Sequence, residues 1–431
     1  MEPQTLYSFD EAVLAQNNTS ANEGGDIAIQ YGTGVKIVKA DGADEGVAAT
    51  VPIISHEIGQ YYVYPNYDEI PKYTGPLYAG NYEILRDNLK EAGLYDMAKA
   101  YFYNSGKLSA ACYRQELEMM HRSEFIAGYQ LLDLQDYTGQ NSSFVGMLDA
   151  FMDSKGLITP EEWRHFCSDE VILAGFEKYT LTEEEKMNIK VTLSCFNPLR
   201  DLSGHSIICT CSMDGKTYFK EELTIENFRQ GTTSPGSFVI QAPAIEKASG
   251  RILLRLNVKG TPISNEYTLW IYKKNYELPD ADIIFSDGDN FIPGFYCSDF
   301  WNYTMFRQIS ESVGKPVATG TLGLIIDREH PALKYFDCET YETPQWYRLI
   351  TGAKCDILDE YAKKGLRPIV QMIDNAERNH LLGILYELPD EEGNKRLICT
   401  IPKSSLLSCP QGRALLYSIS RYRYEHLRPV F

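Results

Sequence analysis

The chain has 431 residues, 44% of them hydrophobic and 23% charged, and carries a net charge of -18. These proportions exclude wholesale disorder, the length leaves room for two to four domains, and the acidic excess excludes a protein that grips nucleic acid by neutralising phosphate. The opening "MEPQTLYSFDEAVLAQ" has neither the basic n-region nor the apolar h-region of a signal peptide, and no run approaches the roughly 18 apolar residues that span a bilayer, so no membrane insertion is expected.

In chain order, the first informative stretch is "ATVPIISHEIG", an apolar, β-branched run that closes on an acid, Glu57. Helical sequence follows in "GNYEILRDNLKEAGLYDMAKAYFY", where Ile84, Leu85, Leu89, Leu94, Met97 and Ala98 recur near helical spacing. A second apolar run, "FIAGYQLLDLQD", ends in Asp133, Gln135 and Asp136. Apolar strands separated by helices predict buried parallel strands, and residues 1–181 read as α/β material.

From about Thr182 the texture changes to short strands with turn signals between them, among them "MNIKVTLSCFNP", "HSIICTCSMDGKTY" and "GRILLRLNVKG". Residues 182–276 therefore read as an antiparallel, immunoglobulin-like β-sandwich. Cys209 and Cys211, two apart on one strand, face the same side and read as core. The ten cysteines contain no CxxC pair, and no metal site or cofactor is expected. After the linker-like "NYELPDAD", residues 282–431 alternate apolar runs with helical segments and predict a third domain with an open α/β sheet.

An acid at the C-terminal end of an apolar strand is where a (β/α)8 barrel carries its chemistry. The segments "ISHEIGQYYVYPNYDEIPKYTG", "LSAACYRQELEMMHR" and "AGYQLLDLQDYTGQNSSFVGMLDAFMDSKGLITPEEWRHFC" resemble the second part of the catalytic TIM barrel in a branch of glycoside hydrolase family 2, the β-galactosidase-like enzymes of polysaccharide-degrading bacteria. "HPALKYF" and "LRPIVQMIDNAERNHLLGILYEL" resemble the same branch, whose C-terminal domain looks glutamine-amidotransferase-like. The resemblance implies a retaining, exo-acting glycosidase with Glu57 as nucleophile, acting on a carbohydrate substrate such as a β-galactoside or β-glucuronide, in the periplasm or outside the cell. Retention needs a second carboxyl roughly 5 to 5.5 Å away, first as acid and then as base.

In the family that carboxyl belongs to an Asn-Glu pair three βα units earlier, on the order of 90 residues, whereas 56 residues precede Glu57. Neither Asn22-Glu23, in a Gly-rich loop, nor Asn265-Glu266, in the sandwich, fits that role. The expectation is a partial barrel, completed by a missing N-terminal half or by a homo-oligomer.

His56, Gln60, Tyr61, Asp133, Gln135 and Asp136 fall at the expected rim, where each could orient a sugar hydroxyl or serve only as a cap or a structural hydrogen-bonding group. Of Tyr61, Tyr62, Tyr64, Tyr67 and Tyr73, one or two are expected against a sugar and the others as half-buried loop anchors. The alternative function is a non-catalytic carbohydrate-binding or assembly module.

Overall fold

The computed structural model describes residues 27–31, 34–38, 53–59, 61–122, 126–137, 144–286, 322–350 and 353–426. The chain divides into two compact units, one made of Met1–Gly59, Ala111–Leu132 and Ile158–Lys274, the other of Gln60–Ala110, Asp133–Leu157 and Asn275–Phe431.

In the first unit, β1 (Ile27–Tyr31) and β2 (Gly34–Val38) pair antiparallel. Strands β3 (Ile53–Ile58) and β4 (Ile126–Leu131) pair in parallel. A parallel pair needs a long crossover, and this one contains the helix Ala98–Arg122. This is a βαβ arrangement of the kind the sequence predicted, but the described residues form several separate sheets and no closed barrel.

The rest of that unit is a two-sheet sandwich. One sheet runs β10 (Gly231–Gln241), β7 (Lys186–Cys195), β5 (Glu170–Gly175), and the other β6 (Thr180–Thr182), β12 (Ser264–Tyr272), β11 (Ser249–Val258), β8 (Ser206–Met213), β9 (Lys216–Thr224). Alternation builds it: Met187, Ile189, Val191 and Leu193 on β7 point into one core with Ile207, Cys209 and Cys211 on β8 and Ile252, Leu254 and Leu256 on β11. Two strands of this sandwich, β5 and β6, precede the expected boundary at residue 182. The apolar run "EVILAG" carries no alternation, because β5 is buried through its middle.

The second unit holds the helix Gly80–Glu91 and a six-stranded sheet, β13 (Ile284–Phe285), β18 (Lys395–Cys399), β17 (Leu382–Pro389), β16 (Val370–Met372), β14 (Leu324–Ile326), with β15 (Asp356–Ile357) also on β17. The sheet is mixed: β13 and β18 are parallel, while the other pairings are antiparallel. The reason is the short link between β17 and β18, where Asp390 N–H donates to the Asn394 carbonyl at 2.8 Å, a hairpin that can only reverse the chain. Helices Lys403–Ser408 and Pro410–His426 end the unit. Its aromatic core gathers Tyr64, Tyr67, Tyr82, Tyr101, Phe144 and Tyr386.

Candidate functional site

The parallel pair β3/β4 carries an irregular register. Ile53 faces Ile126 but Ile54 faces Gly128, so Ala127 is an extra residue on β4. Further on, Ser55 faces Tyr129 and Ile58 faces Leu131, so His56 and Glu57 together oppose the single residue Gln130. That is a β-bulge, rare in parallel pairs, which bends a strand and re-aims its side chains. The backbone of Glu57 thus stands at the bulged C-terminal end of a parallel strand. The side chains of His56 and Glu57, and the whole of Gln60, lie outside the described residues.

The chain leaving the bulge is held firmly. Gly59 has φ +105° and its N–H donates to Glu116 Oε2 at 3.0 Å, with the Glu116 side chain buried on the long helix. A β-carbon added to Gly59 would stand 2.3 Å from the Tyr113 ring. The turn after "SHEI" therefore requires glycine on both backbone and steric grounds.

A second feature of the first unit was not foreseen. His121, on the last turn of the long helix, sits between Ser194 Oγ, 2.9 Å from Nδ1, and the Tyr129 hydroxyl, 3.1 Å from Nε2. Tyr129 O–H donates in turn to Cys167 Sγ at 3.7 Å. Burial pushes His121 down to about 4 and pushes both the Tyr129 phenol and the Cys167 thiol up, so all three are neutral at pH 7. The row borders a cavity of about 370 Å³, walled by Met120, Gly128, Tyr129, Cys167, Asp169 and Phe196. The sequence signal that could have found it is the lone glycine inside the strand pattern "FIAGYQLL".

The remaining rim residues belong to the second unit. Tyr61 is half-buried, and its carbonyl accepts from Ser109 Oγ at 2.9 Å. Asp133 is half-buried, and burial raises its carboxyl. Gln135 bridges to Leu148. Asp136 is buried, with Oδ1 accepting from Lys155 Nζ at 2.7 Å and from Gly146 N–H at 2.9 Å, and burial above all pushes its carboxyl up.

Of the other tyrosines, Tyr64 bonds Asn379 Oδ1 at 2.5 Å, Tyr67 packs on Tyr64 and Tyr95, Tyr73 on Tyr82 and Phe151, and Tyr62 edge-on to Phe144. These four are packed into that unit's aromatic core or against it. Among the described residues, no group of three or more His, Cys, Asp or Glu could hold a metal ion, and no helix is long and apolar enough to cross a membrane.

Two families of unknown function match: DUF8488 over residues 185–273 and DUF8487 over residues 278–427. No curated protein matches the chain. Similar solved structures include a β-glucuronidase of Parabacteroides merdae, at 15% identity and a TM-score of 0.17, covering 26% of this chain and 14% of that one. An FMN-binding β-glucuronidase of Faecalibacterium prausnitzii L2-6 is 11% identical with a TM-score of 0.19, covering 40% and 24%. The CARDB domain of the PF1109 protein of Pyrococcus furiosus is 8% identical with a TM-score of 0.17, covering 24% and 87%. The chain thus matches well under two thirds of either glucuronidase, and at such TM-scores the likenesses carry no argument about activity.

Proposed function

We propose that the chain belongs to a retaining glycoside hydrolase of the family 2 kind and supplies the nucleophile, Glu57. The observation that carries this reading is the bulge at His56–Glu57. It sets the acid apart from the regular ladder at the C-terminal end of a parallel strand, the place where (β/α) enzymes hold their reacting groups. The long sequence resemblance around "SHEIG" supports it independently.

In the reaction, the Glu57 carboxylate attacks the anomeric carbon and the glycosidic C–O bond breaks as the leaving oxygen takes a proton from a second carboxyl. Water, deprotonated by that same group, then releases the sugar from the glutamyl ester with net retention. The second carboxyl is assigned to no residue of this chain.

The test needs no acid catalyst. Dinitrophenyl 2-deoxy-2-fluoro galactosides and glucuronides carry a leaving group that departs unprotonated, so the nucleophile alone can be trapped. Peptide mass spectrometry should find the fluoroglycosyl adduct on Glu57 and none in Glu57→Gln. An adduct on another residue, or none with either sugar, removes the assignment. Saturable glycan binding without labelling would favour the non-catalytic carbohydrate-binding module instead.

A further inference from the structure

The cavity beside His121 is unrelated to the reading of Glu57 and stands on its own observations. We propose that it is a binding site for a small neutral molecule with an apolar body and one hydroxyl group.

Three features point to a ligand. The volume, about 370 Å³, lies within the usual range for small-molecule pockets of roughly 300 to 1,000 Å³, and the side chains of Met120 and Phe196 give it apolar wall. Gly128 is the second feature. Glycine inside a strand costs stability and commonly marks a close approach by a backbone or a ligand. Here its φ lies outside the left-handed region, so the backbone does not demand glycine, and a β-carbon built on it meets none of the described residues within 4 Å. None of the described residues uses the space above Gly128.

The third feature is the row Ser194, His121, Tyr129, Cys167. A neutral imidazole donates at one nitrogen and accepts at the other, so the row can run in either sense without separating charge. At the cavity wall it meets a thiol, the weakest partner in the row, at 3.7 Å from the Tyr129 oxygen. A ligand hydroxyl offers Tyr129 a better partner and can be met as donor or as acceptor. Cys167 is itself half-buried, whereas the other described cysteines are buried.

Charge selects among candidates. His121 is neutral at pH 7 and supplies no counter-charge for an anion, and Asp169 on the wall repels one. Among the described lining residues Asp169 is the one acidic side chain, too little to hold a desolvated cation.

The test compares p-cresol with 4-methylbenzoate and 4-methylbenzylamine, three probes of one shape and different charge, by saturation-transfer NMR on the full chain. Saturable p-cresol binding, tighter than that of either ion, is expected. It should be lost in Gly128→Leu, which fills the space, and weakened several-fold in Tyr129→Phe, with circular dichroism reporting an intact fold. No saturable p-cresol binding, equal or tighter binding of either ion, or undiminished binding in a folded Gly128→Leu overturns the proposal. Should Gly128→Leu fail to fold, iodoacetamide alkylation of Cys167 in the wild-type chain decides: slowing by p-cresol supports the site, and an unchanged rate overturns it.

Discussion

Gly59 and Tyr113 occupy one shared space, the ring lying where a side chain at residue 59 would begin. Gly59→Ala must move the ring and also hold alanine at φ +105°. The two costs together are roughly 2–4 kcal/mol. Urea unfolding should show that loss, with Tyr113→Ala/Gly59→Ala recovering the steric part but not the backbone part.

The C-terminal half of the long helix is tied to the sandwich through Glu118. Its Oε1 accepts from Arg114 Nε at 2.8 Å, and its Oε2 from Arg122 at 2.7 Å and from Tyr267 O–H at 3.0 Å. Arg114 also reaches Asn265 Oδ1 at 2.7 Å, which fixes Asn265 as a structural residue of β12. Removing the acid leaves Arg122 buried without its counter-charge, so Glu118→Ala should cost about 3–5 kcal/mol. A loss below about 1 kcal/mol in chemical denaturation would contradict the network.

The same unit should lose stability in two acidic steps. His121 is held near 4 by burial, so the unfolded chain takes up its proton first, near its ordinary value of about 6.5. Stability on the order of 3 kcal/mol is present above that pH and drains away as pH falls toward 4. Burial opposes the charge on Glu118, but Arg114 and Arg122 prevail and hold its carboxyl below the usual range. Its contribution is present above the unfolded value near 4.3 and disappears as pH falls through the folded one. Denaturation midpoints measured across pH should show the upper step shrink in His121→Gln and the lower step shrink in Glu118→Gln, the remainder belonging to other groups of the unit, such as His165 and Glu170, whose values are also lowered.

In the second unit, Asp136 and Lys155 form an ion pair with both side chains 2% exposed. Breaking it from one side strands a charge, so Asp136→Leu or Lys155→Met alone should cost about 3–5 kcal/mol, while the double replacement should cost far less than the sum. Additive losses in that double-mutant cycle would mean the pair is not coupled.

How much of this was legible in the sequence varies with how local each signal is. The sandwich strands from β7 to β12 could be read because one buried face writes itself as alternation, as in Met187, Ile189, Val191 and Leu193. The direction of "LLGILYEL" and "RLICTIP" could not, because an apolar run does not record which way its neighbour points, and only the short turn at Asp390–Asn394 reveals the reversal. Glu57 stood out as an acid closing an apolar run. The bulge beneath it did not, since register is set by a partner strand some seventy residues away. The Ser194–His121–Tyr129–Cys167 row joins four distant stretches of chain, and of all its surroundings only Gly128 left a mark in the local pattern.

The two irregularities in the β3/β4 pair have opposite sense, one surplus residue at Ala127 and one at His56–Glu57, and they cancel over the length of the pair. Loss of the codon for either surplus residue would close that bulge and leave the pairing on both sides of it in register, so later residues would keep their faces. The same deletion at any regularly paired position of either strand would instead put the residues beyond it out of step with their partners, so the two bulges are the places in this pair where the length of the gene can change by one codon.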